Sequence, residues 1–157
     1  MSVKTASVTG RRTVRYGSYD DLLADAEQLA AQPVQTIGNW SQAQIYKHLE
    51  MSVHSSIDGP GFALPAPVRW LMSLLMKRRF LTRAIPAGFQ APQRFVPSDQ
   101  TGLVEALSEL RQAIERVKSE KQRGLHPAFG RMTREEWDLF NLRHAELHMS
   151  FLAPAAE

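Results

Sequence analysis

The sequence contains no cysteine. That excludes a disulfide framework, a cysteine-ligated zinc site and a cysteine nucleophile, and it suits a reducing compartment. Long apolar runs are missing too. The longest, Val68 to Met76, is interrupted by Arg69 and Ser73. It falls far short of the roughly 20 residues that a membrane-spanning helix needs. The opening residues show no apolar stretch of the signal-peptide kind, and no hydrophobic region follows Arg11-Arg12 to make it a twin-arginine signal. A cytoplasmic protein with no membrane partner is therefore expected. Charge of one sign is not in large excess either, the net value being +3. Basic residues gather at Arg11, Arg12 and Arg15 and again at Lys77, Arg78, Arg79 and Arg83. No aromatic platform or helix-turn-helix accompanies them, so no nucleic-acid partner is expected.

What is present is enough for one domain with a substantial core. The 157 residues are 43% hydrophobic and 22% charged, ordinary globular values. The reading is a single helical domain over residues 1–157, with residues 1–15 extended or frayed. Ser18 caps a first helix, with Asp20 and Asp21 in the first turn where they favour the helix dipole. Leu22, Leu23, Ala26, Leu29 and Ala30 recur at helical spacing until Pro33. A second helix opens at Trp40-Ser41, where Ser41 and Gln44 form a capping box and Trp40 can staple onto Ile45. It runs to about Ser56, before Asp58-Gly59-Pro60-Gly61.

Most of the chain's nine prolines then fall between residues 59 and 97. This long crossover holds one short helical segment, Val68 to Leu81, with Pro67 in its first turn. Its Trp70, Leu71, Leu74, Leu75 and Phe80 could cover part of the bundle or a partner subunit, as in a homodimer; a membrane-surface helix is the alternative. Long ordered connections of this kind often act as lids. Leu103, Leu107, Leu110, Ile114 and Val117 mark the next helix, starting near Asp99 to Thr101 and ending before Gly124. The last helix has a capping box at Thr133 and Glu136, a staple of Met132 on Trp137, and an apolar face of Trp137, Phe140, Leu147 and Phe151. Pro154 marks its end. Four main helices with no convincing strand point to an all-α four-helix bundle.

Two of the five histidines lie four apart, His144 and His148, on the apolar face of that last helix. Their imidazoles share one face, one turn apart. Burying both without partners is costly, and a metal satisfies both at once. His48, on the inward side of the second helix, can meet them across the core. Three imidazoles leave a coordination position open, as catalytic sites do. The residues alone leave two readings open: a metal site, or a set of partly exposed, hydrogen-bonded histidines. A zinc-protease motif is absent, because Ala145 rather than glutamate follows His144. Glu50 and Glu146 flank the candidate ligands and are expected to face outward. His126, in the turn between Leu125 and Pro127, reads as a backbone-bonded turn residue, or as a substrate contact or a partner supporting the ligands at the site mouth. Trp40 and Trp137 are staples first, with a pocket-lining role second. His54 faces away from His48 on its helix.

Three segments carry a resemblance: Gly38-Asn39-Trp40-Ser41 with His48, Leu125 to Gly130, and Trp137 through Arg143-His144-Ala145-Glu146-Leu147-His148. Together they resemble the DinB/YfiT-like superfamily of metalloenzymes, within a bacterial branch known only as a domain of unknown function. The likeness runs from about Arg15 to Leu152. It implies an up-down-down-up four-helix bundle with nickel, zinc or iron on His48, His144 and His148. Some relatives of that kind use a low-molecular-weight thiol as co-substrate in transferase or isomerase reactions. The expected function is therefore a metal-dependent enzyme acting on a small molecule, as a thiol-dependent transferase or a hydrolase. The alternative is a non-catalytic metal-binding or stress-response bundle protein, dimeric through the crossover helix.

Overall fold

The computed structural model describes residues 3–155. Five helices dominate it: α1 (Tyr19–Ala30), α2 (Gln42–Asp58), α3 (Ala66–Thr82), α4 (Leu103–Ser119) and α5 (Arg134–Met149). Each of the three helices that begin on a serine or threonine cap is closed reciprocally. Ser18 pairs with Asp21, Ser41 with Gln44 and Thr133 with Glu136, every cap side chain accepting from the N3 amide while the N3 side chain accepts from the cap amide. These boxes fix where α2 and α5 start, and so fix the helical phase of the histidines they carry. No helix of the described residues is long and apolar enough to cross a membrane.

α2 packs most extensively on α4 and also on α5, while α1 lies against α4 and α5. The core joins Leu22, Ala26 and Leu29 of α1 to Tyr46, Leu49 and Val53 of α2, Leu110, Ile114 and Val117 of α4, and Leu142 and Met149 of α5. The buried face of α4 is turned slightly from the leucine stripe toward Ala106 and Ala113, leaving Leu103 and Leu107 only partly covered. Small residues on that face let α2 and α4 approach closely.

Several expectations need correction. The absence of strands does not hold. β1 (Val34–Thr36) pairs antiparallel with β2 (Leu152–Pro154), matching Gln35 with Ala153. Three-residue strands are too short to show alternation, so no period marks them. β2 also takes over where α5 was expected to continue: the helix stops at Met149, and Phe151 lies beyond it in the turn. Gly38 is required there, since a Cβ on it would meet the Phe151 ring at 2.9 Å. The crossover helix is not short either, because α3 has 17 residues, as many as α2 or α4.

α3 packs on α5 and on the loop before it, where Met72, Met76, Phe80 and Leu81 cluster with Phe129, Met132 and Trp137. The four-residue spacing of Met72, Met76 and Phe80 sets the inward side. Trp70, Leu71, Leu74 and Leu75 consequently lie exposed, Trp70 at 69%.

The start of the chain is extended apart from a 3₁₀ turn at Thr5–Ser7, and it is anchored rather than loose. Arg12 forms a two-pronged ion pair with Asp25 (3.0 and 2.7 Å), and its amide donates to the Ser150 carbonyl at 2.9 Å. Residues 1 and 2, part of the stretch expected to fray, lie outside the described residues.

Glu146 does not face outward. Its side chain is 4% exposed, sits 2.6 Å from Arg143 Nη2, and accepts from the Tyr16 amide at 2.7 Å. Arg143 in turn donates to the Tyr16 carbonyl. One buried pair on α5 thus clamps the chain entering α1. Glu50 is also turned into the structure, beside Lys47 at 3.1 Å and His54 at 3.4 Å. Removing one partner of a buried ion pair strands the other charge. Glu146→Ala is expected to destabilise the protein by about 3–5 kcal/mol, with a matching fall in the urea midpoint. A loss below about 1 kcal/mol would show that the pair is not a clamp.

Candidate metal centre

His48 enters from α2, and His144 and His148 from consecutive turns of α5. The helical phase set by the two capping boxes brings all three rings together. His144 Nε2 lies 3.3 Å from His48 Nε2 and 3.0 Å from His148 Nε2, and the three ligating nitrogens all lie within 4.8 Å of one another. Two nitrogens held about 2.0–2.1 Å from one cation stand roughly 3.0–3.4 Å apart at ordinary coordination angles. The donor set and its two short spacings therefore fit a divalent metal.

The tautomer of His48 is set from behind. Its Nδ1 donates to the Phe95 carbonyl at 2.8 Å, so in the neutral ring Nε2 carries a free lone pair toward the other two histidines. That carbonyl belongs to a 3₁₀ turn at Gln93–Phe95, inside the proline-rich crossover. A backbone acceptor leaves no trace in residue identity, and this partner of the site was not foreseen.

All three rings are held neutral, the state in which imidazole binds metal. Burial pushes His144 down to about 3, with further lowering by His48 and His126. Burial likewise pushes His148 well below its ordinary value. His48 is lowered by burial too, partly offset by its bond to Phe95. His48 is buried, whereas His144 and His148 remain partly accessible on the wall of a cavity.

That cavity has a volume of about 1020 Å³. The crossover supplies much of its wall, through Phe62, Leu64, Ile85, Phe89 and Val96. Trp40 and Trp137 line it as well, so both are more than staples. Trp40 is stacked on His148 with 5.5 Å between ring centroids and tilted against His48 at 4.8 Å. Trp137 donates its indole N–H to the Gly124 carbonyl at 3.0 Å. Neither Glu50 nor Glu146 reaches the cavity wall.

His126 is the backbone-bonded turn residue of the first reading, and it also stands on the cavity wall. Its Nδ1 accepts from the Ala128 and Phe129 amides, each at 3.1 Å, while its ring lines the cavity. The loop closes through paired backbone bonds between His126 and Gly130, at 2.8 and 2.9 Å, and Gly130 adopts φ +70, which glycine tolerates without a Cβ penalty. His54 stays apart from the centre, accepting from Arg116 at 2.9 Å.

A model of the family described as "Protein of unknown function (DUF1569)" matches residues 8–155. The chain belongs to that family. Neither the curated proteins nor the solved structures contain a match.

The buried histidines predict how stability depends on pH. Below the ordinary value of 6.5 the unfolded chain takes up protons that His126 (lowered to about 4 by burial) and His144 refuse when folded. Their contribution is whole above about pH 6.5 and is lost as pH falls toward 4, by about 1.4 kcal/mol per pH unit for each proton. In chelator-treated protein the urea midpoint should drop steadily from pH 7 to 4.5. His126→Asn should make that drop shallower, and an unchanged slope would contradict the assignment.

Proposed function

We propose that this protein is a metal-dependent enzyme of the DinB/YfiT-like type, its helices α1, α2, α4 and α5 corresponding to the four-helix bundle of that superfamily. The observation that carries the reading is the convergence of three neutral imidazole nitrogens on the wall of a large cavity. His48, His144 and His148 would hold a divalent transition metal, with nickel, zinc and iron all compatible with an all-imidazole set. Such an ion lowers the pKa of a bound thiol or water and polarises an acceptor oxygen.

The chain's own residues do the rest. Phe95, through its carbonyl, keeps the His48 lone pair aimed at the ion. Trp40 packs against two of the three rings and limits their rotation. The crossover walls one side of the centre and so reduces the contact of a bound ion with bulk water. The cavity, at about 1020 Å³, has room for a small-molecule substrate beside the ion, as a thiol-dependent transferase or a hydrolase would need.

A purely structural metal site speaks less well for itself. Structural zinc is closed by a fourth side chain, and among the described residues no aspartate or glutamate joins the three histidines.

Untagged protein is expected to retain close to one metal ion per chain by elemental analysis. His48→Ala, His144→Ala and His148→Ala should each lower that content at least tenfold, and His54→Ala should leave it unchanged. Metal content indifferent to His48→Ala and His144→Ala would overturn the site. Turnover of a thiol with an electrophile that survives chelation would overturn the transferase reading alone.

A further inference from the structure

The wall of the cavity has a distinctive chemistry. Lys4 is the one lysine, arginine, aspartate or glutamate on it among the described residues. Phosphorylated or polycarboxylate substrates are normally met by arginine clamps or helix N-termini, and nothing of that kind faces this space. Aliphatic and aromatic side chains fill most of the surface instead, among them Ile45, Phe80, Phe140 and Leu147.

One polar group stands out within it. Because the single lone pair of His126 Nδ1 is shared by two backbone amides, the neutral ring carries its proton on Nε2. No protein acceptor meets that N–H among the described residues. The ring is clamped between Phe129 (stacked, 4.5 Å) and the edge of Phe140 (4.6 Å), and Phe140 is stacked in turn on His144 at 6.0 Å. His126 thus presents a fixed donor one aromatic ring away from the ligand set. A fixed, neutral donor in a mostly apolar wall is suited to an oxygen acceptor and ill suited to a cation.

Building on the metal-site reading, we propose that the cavity takes a predominantly apolar organic molecule with a single metal-binding head group, and that His126 Nε2–H donates to an oxygen of that molecule. His126 is here a substrate-binding residue outside the metal ligands.

The probes are straight-chain hydroxamic acids from acetyl to octanoyl, and alkanethiols of matching length, titrated into cobalt(II)-loaded protein. The visible cobalt spectrum reports only binding at the centre. Affinity should rise about two- to fourfold per methylene, the increment of apolar burial. His126→Asn keeps an acceptor where Nδ1 stood and lacks the distal donor. It should weaken octanohydroxamate about five- to tenfold, the worth of one hydrogen bond, and leave octanethiol, which offers no oxygen, within twofold. His126→Gln, which restores a donor near Nε2, should recover much of the loss.

Cobalt uptake with affinity flat along the series would overturn the apolar substrate class while leaving the metal site standing. Equal weakening of both ligands by His126→Asn, or weakening of neither, would overturn the role of His126. Failure to take up cobalt at all would defeat the metal reading and this inference together.

Discussion

Three imidazole nitrogens facing one another in a low-dielectric interior is the constraint on which the rest of this structure depends. No two of them can be protonated together at such short range without strong repulsion, and burial alone already disfavours the cation. The rings are therefore neutral, and each approach needs lone pairs and protons to alternate or a cation to receive them. The fold answers by fixing ring orientation from outside the cluster. His48 is held by a carbonyl, and Trp40 is stacked along His148. Both supports come from segments flanking the helices rather than from the helices themselves. The crossover and the α2 entry are thus part of the centre as much as α2 and α5 are.

The same logic explains the polar density behind α5. Arg143 and Glu146 alternate with His144 and His148 along one helix, yet they point the other way. The histidine side faces the cavity, and the ion-pair side faces the incoming chain at Tyr16. From Asn141 to Met149, α5 therefore exposes no residue despite being rich in charge. A charged helix can be buried only if each charge is met, and the backbone of Tyr16 meets this one twice. Arg12 with Asp25 repeats the device one turn of chain earlier, so that a non-helical segment becomes a fixed strap across α1 and α5.

Much of this was legible in the sequence where side chains carried the signal. Capping boxes are local and chemically specific, and with them the phase of α2 and α5 follows, which places His48, His144 and His148 inward. What escaped depends on backbone groups or on tertiary choice. The Phe95 carbonyl could be any residue's carbonyl. β1 and β2 are held by main-chain bonds between segments more than a hundred residues apart. Glu146 looked solvent-facing because charge is normally exposed, and only the folded chain supplies Tyr16 as its partner. α3 read as short because prolines surround it, although Pro65 and Pro67 sit where a helix start tolerates them.

The division of labour among the histidines follows from what each ring's far nitrogen does. His48 gives its Nδ1 proton to a carbonyl and so offers Nε2 as a lone pair. His126 accepts two amide protons at Nδ1 and so offers Nε2 as a donor. The two residues are the same side chain set to opposite polarity by two loops, one in the crossover and one ahead of α5. A ring of the first kind is useful to a metal and a ring of the second kind to an oxygen atom. That one cavity holds both, with an apolar wall between them, is a stronger sign of a built binding site than the number of histidines. Chance burial gives no reason for the backbone to set His48 and His126 to opposite tautomers.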